Sequence, residues 1–244
     1  MQNRCESRRN RLPRPIVVQE LEPFGTALSG KDFVEAWSDT VQRHRVLHRQ
    51  GIDTGDPRLW NILYDRTKRS TILTDFDLRD TPDFLPSYSY AGRTGAIPFM
   101  AIELLSEKHE NAAFRRTYRH ELEAFVWVLL FVLRRYNDKT LVEDIGNTCI
   151  WFTPEYRECF IYKWAITSKP TLLAVQESFK AQSWLVKSLL LWVYKMFDER
   201  QRESRAWERK GQPVPELLEE EEEQLIEDLL AIVEEQTDRD QDDE

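Results

Sequence analysis

The run FVWVLLFVL, residues 125–133, constrains this chain more than any other stretch. Nine apolar residues are too few to cross a bilayer as a helix, which takes about 20. With its flanks the run predicts a strongly apolar helix over 118–136, which belongs in the centre of a domain. The other long apolar run, WLVKSLLLWVYKMF (184–197), is interrupted by lysine. No membrane span is therefore expected. The arginines near the start have no apolar run after them, so no signal peptide is expected either.

Upstream, the period changes. Residues 15–22, PIVVQELE, read as a short strand because Ile16, Val17 and Val18 are β-branched. PFGTALSG (23–30) reads as a turn-rich connection. Phe33, Trp37 and Val41 recur every four residues, which predicts a helix over 31–51 closed by Gly51. NILY (61–64) and TILT (71–74), separated by DRTKRS, predict a hairpin. Residues 75–102 carry Pro, Gly, Ser and Asp throughout and read as a loop, long enough to suggest a function.

Downstream only helices are expected, near 154–166, 171–182 and 183–209. An acidic helix over 215–235 follows, with Leu217, Leu218, Leu225, Ile226, Leu229, Leu230 and Val233 on one face. That stripe must be buried against the chain's own domain or against a partner. The fold class is mainly α with a small β remnant, α+β. No internal repeat is visible.

A chain of 244 residues fits one domain, and 41% hydrophobic residues with eight tryptophans supply a core. The net charge of −9 argues against nucleic acid as a main partner. The start is basic and the end acidic. Cys5, Cys149 and Cys159 have no metal-ligand spacing and are odd in number, which favours a reducing, intracellular compartment, cytoplasmic or nuclear.

One constellation carries chemistry. Asp56 precedes Asn61 by five residues, and Asp75 follows the second strand of the hairpin. Read separately, these are turn residues around Pro57. Read together, they match the spacing D-x-x-x-x-N followed by a metal-binding Asp, which phosphoryl transfer uses. There an acid orients the accepting hydroxyl, and an amide oxygen with a carboxylate holds Mg²⁺, a hard cation that prefers oxygen donors. His48 in HRQ is set aside, because Gln50 cannot act as a base. His109 and His120 read as structural. Ser87, Tyr88, Ser89, Tyr90 and Thr94 are hydroxyls in the long loop and candidates for modification.

RTGAIPFMAIELL (93–105) looks like the end of a kinase activation segment, with Glu103 where the glutamate of A-P-E would stand and Ile102 in place of the proline. YRHELEAFVWVLL (118–130) resembles the next helix of a kinase large lobe. In wording, both segments resemble the fungal-type protein kinase family, as does the acid-Phe-acid of Asp75, Phe76 and Asp77. The resemblance covers roughly residues 14–200 and implies a protein-kinase-like C-lobe. It makes Glu20, Leu21 and Glu22 the nucleotide-binding hinge and Asp56 the catalytic base. Arg58 stands near the transferred phosphate, Asn61 and Asp75 are the metal ligands, and Glu121 braces the catalytic loop. It implies ATP and Mg²⁺ as cofactors and a protein Ser/Thr as acceptor.

The sequence also departs from the pattern. No G-x-G occurs, Lys31 is the only lysine before the catalytic loop, and Thr54-Gly55 stand where His-Arg is usual. Ala96 replaces a threonine and Glu121 an aspartate. The segment before residue 15 is too short for a small lobe. The expected organisation is a basic flexible N-terminus (1–14), hinge plus C-lobe (15–200), linker (201–214) and acidic helix with tail (215–244). The expected function is ATP-dependent phosphoryl transfer, weak or absent in these 244 residues alone. The alternatives are a pseudokinase-type scaffold and a small-molecule kinase of the aminoglycoside type. The expected partner is a protein, substrate or otherwise, with a possible one for the acidic helix; membrane and nucleic acid are not expected.

Overall fold

In the computed structural model, which describes residues 21–52, 57–74, 97–106, 117–142, 151–212, 215 and 217–242, the elements follow in this order. The first half holds β1 (Glu22–Pro23), α1 (Phe24–Ala27), α2 (Gly30–Arg49), β2 (Ile62–Asp65) and β3 (Ser70–Leu73). After α3 (Tyr118–Arg135) come β4 (Tyr136–Asn137), β5 (Thr140–Leu141), α4 (Tyr156–Ser168), α5 (Ser183–Glu208) and α6 (Glu219–Asp242). The class is mainly α with a small antiparallel sheet remnant, as the sequence predicts.

Helix α3 is the centre. Every residue from Tyr118 to Leu133 is buried. It meets α2, α5, α6 and the 3₁₀ turn Ile97–Phe99, which cover it from different sides. A helix apolar all round is stable only when so enclosed. Helix α2 buries Phe33, Val34, Trp37 and Val41 on one stripe. The Trp37 indole N–H donates to the Phe125 carbonyl at 2.9 Å and fixes α2 on α3. The end of α2 is a Schellman turn. Gly51 takes φ +75° and donates its N–H to His48 O at 2.8 Å, while Ile52 N–H reaches Leu47 O at 3.0 Å.

The sheet has order β1-β2-β3, with Glu22 opposite Tyr64 and Ile62 opposite Leu73. The turn after β2 is held by Asp65, whose carboxylate accepts the Thr67 and Lys68 N–H groups at 2.9 and 3.1 Å.

Several local expectations need correction. Residues 23–30 are not all turn, since Phe24–Ala27 form a short helix. The helix expected over 171–182 is two 3₁₀ turns, Pro170–Leu172 and Glu177–Gln182, because Pro170 cannot continue a helix from α4 and Phe179 (φ −123°, ψ 17°) leaves helical geometry. The helix expected over 183–209 is α5, Ser183–Glu208, and so takes in residues 201–208 of the segment assigned as linker. The hairpin β4–β5 was not expected. Its two turn residues, Asp138 and Lys139, both take positive φ without a glycine, and Ser178 Oγ accepts the Asp138 N–H at 3.0 Å. The expected strand over 15–20 and the N-terminal segment lie outside the described residues.

The stripe on α6 faces its own domain. Ile226, Leu229, Leu230 and Val233 are buried, and α6 contacts α2, α3 and α5. Leu218, assigned to that face from sequence, precedes the helix and is exposed. The acidic start of α6 meets the basic end of α2: Arg45 pairs with Glu223 and Glu227, Arg49 with Glu223, and His48 with Glu222 at 3.3 Å. Buried Gln236 accepts the Leu185 N–H at 3.1 Å and donates to Ala181 O at 3.2 Å, tying α6 to the first turn of α5. Among the described residues, no helix is long and apolar enough to cross a membrane.

Candidate active site

Residues Leu59–Asn61 form a 3₁₀ turn that leads directly into β2. Buried Pro57 and Leu59 root this turn in the core, and Arg58 and Asn61 are half-buried. The Asn61 carbonyl accepts the Thr74 N–H at 2.9 Å and lies 3.2 Å from the Thr74 hydroxyl. The β2–β3 hairpin thereby returns its last described residue, the one before Asp75, to the backbone of Asn61. The hairpin register produces this closure, because Ile62 opposite Leu73 puts 61 opposite 74. Asp56 and Asp75 lie outside the described residues, as do Glu20, Thr54, Gly55, Asp77, Ala96 and the hydroxyls Ser87 to Thr94. Among the described residues, no three His, Cys, Asp or Glu side chains gather as a metal site.

At the expected hinge, Leu21 is half-buried and Glu22 pairs with β2. The Glu22 carboxylate is engaged by Arg66, whose Nη2 lies 2.8 Å away. This hydrogen bond holds the carboxyl below its usual pKa.

The segment 97–105 is anchored by buried polar groups, most of which sequence reasoning missed. Glu103 Oε2 receives Arg119 and, at 2.8 Å, His120 Nε2; Arg200 Nε approaches Oε1 at 4.0 Å. His120 Nδ1 accepts the Thr117 N–H at 3.0 Å at the start of α3, so the ring hydrogen sits on Nε2 and points at Glu103. Burial alone would raise the Glu103 carboxyl. The His120 hydrogen bond and the Arg119 charge outweigh it and bring the pKa down to about 2.

Glu123, one turn into α3, accepts the Ile102 N–H at 2.7 Å and the Trp127 indole N–H at 2.9 Å. Burial raises its pKa against those bonds. Lys163 of α4 donates to the Met100 carbonyl and sits 4.2 Å over the Trp127 ring. Burial brings its pKa down to about 8. The Cys159 thiol donates to Ile97 O at 3.5 Å. Only the pattern HELE within an apolar run could have signalled inward-facing carboxylates, and it does not say what they hold.

Glu121 pairs with buried His44 of α2 at 2.8 Å. The turn around Gly55, which it was expected to brace, lies outside the described residues. The pairing ties α2 to α3. Glu121→Ala is expected to cost about 1–3 kcal/mol, the usual penalty for a buried group left without its partner. A urea melt that superimposes on wild type removes this role.

The family model for fungal protein kinase matches residues 1–133, more than half of the chain. The chain belongs to the fungal protein kinase family. The match spans Asp56, Arg58, Asn61, Asp75, Glu103 and Glu121 and ends inside α3. No curated protein matches the chain. Membership makes this a kinase-like domain.

Proposed function

We propose that this chain carries the phosphoryl-transfer centre of a protein kinase, acting from ATP on Ser or Thr of a protein. The observation that carries the reading is the hydrogen bonding of Thr74 to Asn61, because it joins the two chain segments whose residues, Asn61 and Asp75, would hold Mg²⁺. An amide oxygen beside a carboxylate suits that hard cation, so these residues fit it. When bound, Mg²⁺ neutralises charge on the phosphates. Asp56 accepts the proton of the attacking hydroxyl, and the Arg58 guanidinium balances charge on the group in transit. At Glu22 the adenine would meet backbone, since the carboxylate is held by Arg66.

These 244 residues hold no G-x-G loop, and Lys31 lies beyond the hinge. A polypeptide of these residues alone therefore grips the phosphates weakly. Calorimetry is expected to show Mg·ATP binding poorer than about 1 mM, the upper end of usual Michaelis constants. The binding is lost in Asn61→Ala combined with Asp75→Ala. Transfer of radiolabelled phosphate to generic proteins is expected to be slow and absent in Asp56→Asn. If wild type shows no magnesium-dependent ATP binding, the scaffold reading takes its place. The anchoring of 97–105 by Glu123, Lys163 and Glu103 favours that second reading, because it fixes this segment through contacts within the protein itself.

A further inference from the structure

Trp60 is 58% exposed and Phe152 45% exposed, although each is a large aromatic that a folded chain ordinarily covers. Neither is loose. Trp60 meets the buried Phe99 ring edge-on at 5.4 Å, Phe152 lies 5.1 Å from the buried Phe131, and the Trp60 and Phe152 rings stack at 6.5 Å. Leu59 and Ile62, both buried, fix the backbone on either side of Trp60. The result is a rigid aromatic shelf, pre-organised in the way that makes binding economical in entropy.

Its position decides the occupant. Trp60 directly precedes Asn61 in the candidate catalytic turn, so the shelf starts one residue away from a candidate metal ligand. Its backing rings come from the segment 97–99 and from α3, not from the β1–β2 sheet beside the expected adenine position. The shelf rings present no formal charge. We infer that Trp60 and Phe152 determine specificity by receiving an apolar side chain of the protein substrate, within a few residues of its phosphorylated Ser or Thr. The inference rests on the phosphoryl-transfer reading and adds to it the substrate class, a peptide with a large apolar neighbour to the acceptor.

The test uses the full 244-residue chain and labelled peptides that carry one Ser in a Gly-Ala background, with Phe, Leu, Asp or Gly placed in turn at each nearby position. Fluorescence anisotropy is expected to show one position where Phe binds about tenfold tighter than Gly, a free-energy difference of about 1.4 kcal/mol. Trp60→Ala and Phe152→Ala each bring Phe-peptide binding down to the level of the Gly peptide; Trp60→Phe retains most of the preference. A thermal melt confirms that each variant is folded, and Trp60→Phe keeps the test usable if Trp60→Ala is not. Equal binding of Phe and Gly peptides overturns the inference, as does a preference that survives both alanine variants or no peptide binding at all. A Trp60→Ala effect on sedimentation assigns the shelf to a second copy, and an effect on ATP affinity assigns it to the nucleotide; either overturns it. Mg·ATP calorimetry separates the two claims. Intact ATP binding without an apolar preference sinks only the shelf; an apolar preference without ATP binding sinks the transfer reading and with it the assignment of the bound peptide as a substrate.

Discussion

Glu103→Ala is expected to destabilise the domain by about 3–5 kcal/mol, the range for removing one partner of a buried ion pair. Arg119 and His120 are both buried and both point at this carboxylate, so its loss strands a guanidinium and a ring N–H without solvent. Glu103→Gln keeps an acceptor for His120 and is expected to recover part of the loss. The pH dependence has a definite sign. The folded carboxyl titrates at about 2 against an ordinary 4.5, so its contribution is complete above pH 4.5 and disappears as pH falls toward 2. That difference corresponds to about 3 kcal/mol at neutral pH. Urea midpoints of wild type and Glu103→Gln should therefore converge between pH 4.5 and 2. Curves that stay parallel through that window contradict the assignment.

Leu229→Ala is expected to cost about 2–5 kcal/mol through the cavity it leaves. Leu229 is fully buried where α6 lies on the rest of the fold. An exposed residue of the same helix, Glu234→Ala, should stay within about 0.5 kcal/mol. If both variants melt like wild type, α6 contributes no packing energy. The ion pairs between α2 and α6 are partly exposed and add little: Arg45→Ala is the smaller effect, sensitive to salt.

The parts of the fold legible in the sequence are those with a period. Phe33, Trp37 and Val41 marked α2, the apolar run marked α3, and NILY and TILT on either side of DRTKRS marked the hairpin. The residues 171–182 misled because Leu172, Leu173 and Val175 are apolar enough for a helix, whereas Pro170 and the Phe179 kink break it into 3₁₀ turns. β4–β5 was invisible because Asp138 and Lys139 adopt positive φ without the usual Gly. At the site, spacing singled out Asn61, and the resemblance to fungal-type protein kinases singled out Arg58. The anchors Glu123 and Lys163 were not legible, since a buried charge in a sequence looks like a solvated one. Their partners, Ile102 N–H and Met100 O, are backbone groups that no side-chain pattern records.

The enclosure of α3 has a consequence for synthesis. Its covering comes from α2 on one side of it in the chain and from α5 and α6 on the other, with α6 also closing onto α2 across some 170 residues. A nascent polypeptide that has emerged only as far as residue 133, where the family match ends, presents an apolar rod with nothing from the C-terminal half to shield it. Closure of so long a loop is slow and exposes sticky surface in the meantime. Enclosure of α3 is thus delayed until α6 has been synthesised, and the half of the chain bearing the catalytic spacing depends on α5 and α6 to cover its central helix.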